Sequence, residues 1–183
     1  MFAKLRDGDD MESFLSRTRR NLLSVTVAFI AVALTQGCQQ AQVAGSYDGA
    51  AKNLAVKANM QRVQAAAEAY FRDHTYMYPA EINDDFKSYF PGGDPASKKP
   101  GSALTNPFTG QPEWPVIGTI TDLTTARAGL PKALSKGVIE YSPINGGKSY
   151  AVRAGGFDDK EISQVNSNSP LVLSRDNFEK GAQ

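Results

Sequence analysis

Val56, Met60, Val63, Ala67 and Tyr70 recur at spacings of four, three, four and three. They draw one apolar stripe along a helix running from about Ala50 to Asp73. A helix this long with a single apolar face has to find a covering layer, and that requirement limits what the rest of the chain can build. Leu54, Ala58, Ala66 and Phe71 lie near the stripe, Lys57, Arg62, Gln64 and Glu68 occupy the other faces, and Ala65-Ala66-Ala67 strongly favours helix. His74, Thr75 and then Pro79 end the pattern. Asp84 to Phe90 is a candidate for a short second helix.

Downstream the periodicity changes. Between Pro91 and Pro115 turn residues crowd the sequence, including Pro91-Gly-Gly-Asp-Pro, Lys99-Pro-Gly, Asn106-Pro-Phe-Thr-Gly110 and Gln111-Pro. This marks a long irregular segment within one domain. Trp114 and Val116 to Ile120 can form a short strand. Gly137 to Pro143 and Lys148 to Ala154 both alternate apolar with polar around an Asn145-Gly146 pair, which predicts an antiparallel hairpin. Pro170 to Ser174 is a candidate last strand, and no fixed-period repeat is visible.

The N-terminal region is of another kind. Leu22 to Thr35 is an uncharged apolar run of 14 residues, preceded by Arg17, Arg19 and Arg20 and followed by Gln36-Gly37-Cys38-Gln39-Gln40. The run is shorter than the roughly 18 to 20 residues that cross a bilayer comfortably, so a secretory signal is the better reading than a permanent anchor. Around Cys38, the only cysteine of the protein, the segment resembles a bacterial lipoprotein signal. The resemblance implies cleavage after Gly37 and acyl chains on Cys38. Thr35 and Gln36 depart from the usual pattern, in which an apolar and a small residue hold those two places. Met1 to Asp10 is charged and unlike a signal start, whereas translation from Met11 would give a more ordinary one.

Five of the 20 Lys/Arg and four of the 19 Asp/Glu precede Cys38, leaving 15 of each beyond it. A neutral domain lacks the basic excess that tracks phosphates, so no nucleic-acid partner is expected. One cysteine allows no intramolecular disulfide, and an exported domain must be held by its core alone. His74 is the sole histidine, which rules out multi-His metal sites. It stands at a helix end, where a histidine ordinarily meets terminal carbonyls rather than completing a Ser-His-Asp triad. No phosphate-binding glycine loop has the required spacing, and no enzymatic activity is expected.

The order of helix, Pro/Gly-rich loop and small antiparallel sheet resembles the type IV pilin-like fold, and in particular the major pseudopilin of type II secretion. The residues that carry the likeness are Lys57-Ala-Asn-Met-Gln-Arg-Val-Gln-Ala-Ala-Ala-Glu-Ala-Tyr70, Tyr78-Pro79, Leu104-Thr-Asn-Pro-Phe-Thr-Gly110, and Gly137-Val-Ile-Glu-Tyr141 with Tyr150-Ala-Val152 and Gly155-Gly156. It covers about Asn53 to Ile162 and implies an α+β domain, a long N-terminal helix packed on a small antiparallel sheet, preceded by a hydrophobic signal helix. Prepilins carry a basic leader ending in Gly and a long apolar run with an early Glu; here no Gly stands at that place and Leu22 to Thr35 holds no acid. What the resemblance implies is thus a pilin-like head on a lipid tether, without the filament-forming stalk. Major pseudopilins also bind calcium in an acidic loop near the place of Asp158, Asp159 and Glu161, the candidate metal ligands here. The Lys160 inside that short loop favours a solvated charged turn instead. No other cofactor is expected. Phe108, Trp114, Tyr141 and Tyr150 are expected to pack in the core.

The expected organisation is a signal peptide over 1–37, a linker over 38–49, a globular domain over 50–166, and a tail over 167–183 that can add an edge strand. The expected function is structural or accessory, through protein contact in a bacterial envelope, with the membrane reached through lipid on Cys38 and partners in a secretion or pilus-like system. Gln39 after Cys38 favours the outer membrane by analogy with lipoprotein sorting, and self-association stays open. Two rivals remain: a true pseudopilin held in the inner membrane by Leu22 to Thr35, and a ligand-binding or hydrolytic envelope lipoprotein.

Overall fold

The computed structural model describes residues 48–129, 134–158, 160–164 and 169–177. Among them, helix α1 spans 48–73, about 39 Å at the usual rise. Val56, Met60 and Val63 are fully buried along its stripe, each contributing ~1.5–3 kcal/mol of burial. Two residues assigned to its outer faces are not there. Gln64 and Glu68 are buried, for reasons given below, while Leu54 is 67% exposed.

Helix α1 ends in a Schellman-type cap. The Tyr76 amide donates to the Phe71 carbonyl at 3.1 Å, and the Tyr76 ring packs edge-on against Phe71 at 5.4 Å. The left-handed position of such a cap is ordinarily glycine. Here Thr75 and Tyr76 both take it, at φ 50° and 61°, at a cost of ~1–2 kcal/mol per residue. Helix α2 (Asp84–Lys87) follows, started by the Asn83 side chain accepting from the Phe86 amide. Phe86 is fully buried among Tyr70, Phe90 and Tyr141.

The turn-rich segment contains one two-residue ladder, β1 (Leu104–Thr105) antiparallel to β2 (Pro112–Glu113). Asn106 is its clasp. Its Oδ1 accepts from the Phe108 amide, its Nδ2 donates to Glu113 and to the Lys136 carbonyl, and its own carbonyl accepts from Gly110. Gly137, at φ 76°, passes so close that a Cβ there would collide with the Asn106 amide. Phe108 and Trp114 are half-buried against the main core, in which Tyr141 and Tyr150 are fully buried.

The main sheet has the order β3–β4–β5, with β3 at Val116–Ile117, β4 at Ile139–Ile144 and β5 at Ser149–Ala154. The β4–β5 hairpin is antiparallel from Ile139↔Ala154 to Ile144↔Ser149 around an Asn145–Lys148 turn. The sheet is mixed rather than antiparallel throughout, because β3 pairs with β4 in parallel (Val116↔Glu140, Ile117↔Tyr141). A parallel return needs a crossover, and helix α3 (Leu123–Ala128) lies on the connection. Asp122 caps α3 by accepting from the Thr125 amide and hydroxyl. The hydroxyl bond, then the amide, hold the Asp122 carboxyl below its ordinary pKa. On the far side of β5, Leu173 exchanges two backbone hydrogen bonds with Val152.

The two faces of the sheet are both covered. Tyr141, Tyr150, Val152 and Ala154 join the cluster with α1, whereas Ile144 and Ala151 join Ile120, Ala126 and Val172 in a smaller one. The fold among the described residues is therefore α+β, a helix on a small mixed sheet with a thin second layer.

Candidate functional site

Cys38, Gly37 and the apolar run from Leu22 to Thr35 lie outside the described residues. Within the described residues no helix is long and apolar enough to cross a membrane. Of the acidic loop, Asp158 is exposed and Asp159 lies outside the described residues. Glu161 is drawn inward: its Oε1 accepts from Arg153 Nη1 at 2.6 Å. Arg153, 1% exposed, also donates through Nη2 to Glu140. A calcium ion at this loop would have to compete with a buried guanidinium for Glu161. Among the described residues no three His, Cys, Asp or Glu side chains converge as metal ligands. The Arg153 Nε and Glu161 Oε2 atoms are buried and have no hydrogen-bond partner among the described residues.

A second polar group lies under α1. Glu68 accepts from the Tyr150 hydroxyl at 2.7 Å and from the Tyr78 hydroxyl at 3.1 Å, and four residues earlier Gln64 donates to the Ser174 carbonyl at 3.0 Å. These bonds explain why two polar helix residues face inward. Burial, followed by the Glu68 hydrogen bond, pushes the Tyr150 hydroxyl far above its ordinary pKa, and burial alone leads the similar rise of Tyr141. Buried on all sides, this carboxylate is a fastening of α1 to β5.

His74 stacks face-on against Tyr70 at 3.7 Å. Its Nδ1 lies 3.0 Å from the Tyr70 carbonyl and its Nε2 3.1 Å from Asp85 Oδ2. Both ring nitrogens thus face acceptors, and the histidine fastens the end of α1 to α2. Beside it, burial and then the bond from its hydroxyl to Asp73 push Tyr89 up to about 12. Both nitrogens are engaged, and among the described residues no hydroxyl or thiol is hydrogen-bonded to the ring as a nucleophile would be.

What the molecule does present is a tip. Just past α1, Tyr76 is 70% and Met77 41% exposed, held out on the left-handed backbone of Thr75 and Tyr76. Strain retained in this way tends to mark positions used for contact or binding. The tip is braced from behind. The Tyr78 amide donates to the Gly147 carbonyl at 2.8 Å, the Tyr141 hydroxyl donates to the Pro79 carbonyl at 3.0 Å, and the Met77 methyl lies against Gly147. Sequence reading missed this pair, since two exposed apolar residues in a turn leave no periodic trace. The signal available was Tyr-Met-Tyr directly after a helix end with no glycine in the capping place. A second apolar exposure occurs at the sheet edge, at Val116 and Ile117.

Compared with known family profiles, with curated proteins and with solved structures, the protein matches none.

Proposed function

We propose that this protein is a membrane-tethered, pilin-like lipoprotein of a bacterial envelope, an accessory or structural component of a secretion or pilus-like machine that acts by protein contact. The tether is the lipid on Cys38, and the outer membrane is its favoured location. The layout supports the pilin-like part of the reading: α1 lies on the β4–β5 hairpin, and a turn-rich segment clasped by Asn106 lies between them. The contact part rests on one observation, the exposed Tyr76–Met77 pair presented on a braced, left-handed backbone. Tyrosine and methionine are both over-represented at protein interfaces, and a pre-ordered side chain loses little entropy on docking.

Two measurements on protein taken from its native membrane test this reading. The intact mass should begin at a di- or triacylated Cys38 and lose the acyl mass in Cys38→Ala. An unlipidated protein retaining Leu22 to Thr35 would turn the reading toward a membrane-embedded pseudopilin. A photo-crosslinking residue at position 76 should capture an envelope protein that the same residue at exposed Ala96 does not. Equal capture at both positions would remove the tip from the proposal.

A further inference from the structure

We propose that Asn145–Gly146, at the crown of the β4–β5 hairpin, is a site of spontaneous deamidation and isoaspartate formation. The reaction needs a free side-chain amide, a free backbone N–H on the next residue, and room between them. Of the described asparagines, Asn145 alone has a side chain that makes no hydrogen bond. The amides of Asn53, Asn59, Asn83, Asn106 and Asn177 are all engaged. Asn106 is barred a second time, because Pro107 offers no N–H. At the crown, the Gly147 and Lys148 amides donate to Ile144 and Asn145, whereas the Gly146 amide has no acceptor among the described residues. Asn145 and Gly146 are both exposed, and the space where a Gly146 Cβ would stand is empty to 4 Å.

The chemistry is self-contained. The Gly146 nitrogen attacks Asn145 Cγ, and the new bond between them closes a five-membered succinimide. The Asn145 Cγ–Nδ2 bond breaks, and Nδ2 leaves as ammonia with the proton displaced from Gly146. Water then opens the ring at one carbonyl to give aspartate or at the other to give isoaspartate. Nothing is oxidised or reduced, and water is the only co-reactant. The turn conformation, with Asn145 at φ 52°, has to relax for the attack, so the folded protein reacts more slowly than the open one.

The site is not neutral in place. Isoaspartate inserts an extra methylene into the backbone two residues before the Gly147 carbonyl. It therefore shifts that carbonyl, which accepts from the Tyr78 amide, and with it the brace behind Tyr76 and Met77. Its effect on partner binding rests on the contact role proposed above; the modification itself does not.

The test is a time course on the full-length protein, kept folded at neutral and at mildly alkaline pH and then peptide-mapped by mass spectrometry with an isoaspartate-specific methyltransferase label. The peptide carrying Asn145 should gain the mass of NH exchanged for O several-fold sooner than the peptides carrying Asn53 or Asn59. It should take the label, and Asn145→Ser should take none there. Hydrogen exchange at the Tyr78 amide should rise in the labelled fraction. If Asn145 stays intact in the folded protein while the same peptide converts in urea, the hairpin protects it and the proposal fails. If it converts and only Tyr78 exchange is unchanged, the modification stands and its link to the tip is lost.

Discussion

The two faces of the β3–β4–β5 sheet are buried by different means, though they are built from alternate residues of the same strands. Toward α1, Tyr141, Tyr150 and Val152 meet an apolar stripe, and the one buried acid, Glu68, is held by neutral tyrosine hydroxyls. On the opposite face Arg153 stands between Glu140 and Glu161, beside a cluster of only a few apolar side chains. A carboxylate fastened by hydroxyls needs no counter-charge. A guanidinium between two carboxylates holds together only while the guanidinium is present, because its loss leaves both carboxylates desolvated and unpaired. The α1 face should accordingly respond to lost volume, and the opposite face to lost balance of charge.

The largest expected effects set these two responses against each other. Phe86→Ala should cost ~3–5 kcal/mol by opening a cavity under α1, measured by urea unfolding. Arg153→Met should cost ~3–5 kcal/mol by stranding Glu140 and Glu161. The triple variant Arg153→Met, Glu140→Leu, Glu161→Leu should recover most of that loss. No rescue by the triple variant would break the contrast, since lost volume would then explain both faces.

Next in size, Tyr150→Phe should cost ~1–3 kcal/mol by removing the shortest bond to Glu68, with helix α1 losing amide protection first. The same tyrosines sharpen the contrast through pH. A raised tyrosine pKa means the fold favours the neutral hydroxyl, so the stabilisation is complete below the ordinary value of 10.0 and is lost as pH climbs above it. Tyrosinate absorbance from Tyr141 and Tyr150 should therefore appear only above the ordinary range, together with unfolding. Titration of Tyr141 and Tyr150 near pH 10 in a protein still folded would contradict the buried hub.

The smallest effect concerns the tip. Thr75→Gly should stabilise the domain by ~1 kcal/mol, since glycine occupies a left-handed cap without the steric cost. The melting temperature reads this directly. A loss of stability would mean that the Thr75 side chain contributes more than its backbone conformation costs.

The long helix and the hairpin were legible because each repeats its period often enough to be counted: about 3.6 along Val56 to Tyr70, two along Ile139 to Ala154. The short elements were legible only in part: α2 and β3 fall within the short helix and short strand expected over Asp84 to Phe90 and Val116 to Ile120, but the pairing of β3 was not readable. A two-residue strand such as β3 has no period, and its parallel pairing depends on a crossover whose helix announces itself only by Asp122 three residues before Thr125. Gln64 and Glu68 read as solvent-facing because their partners, Ser174 and Tyr150, are far along the sequence. The alternation of β5 puts Arg153 on the face away from α1, but nothing in that period shows that α3, Glu161 and Val172 cover that face. Cys38 and its neighbours lie outside the described residues, so the tether in the proposed function rests on the sequence around Cys38 alone.

The bond between Glu68 and Tyr150 joins residues 82 apart in sequence. A ribosome adding about 5 to 20 residues per second needs about 4 to 16 s to travel between them. Throughout that interval α1 exists without the strand that covers its stripe, and an acid destined for the interior is still in water. The newborn helix is thus a substrate for any holding factor, and the moment the hairpin emerges decides whether the domain closes or the stripe finds another surface first.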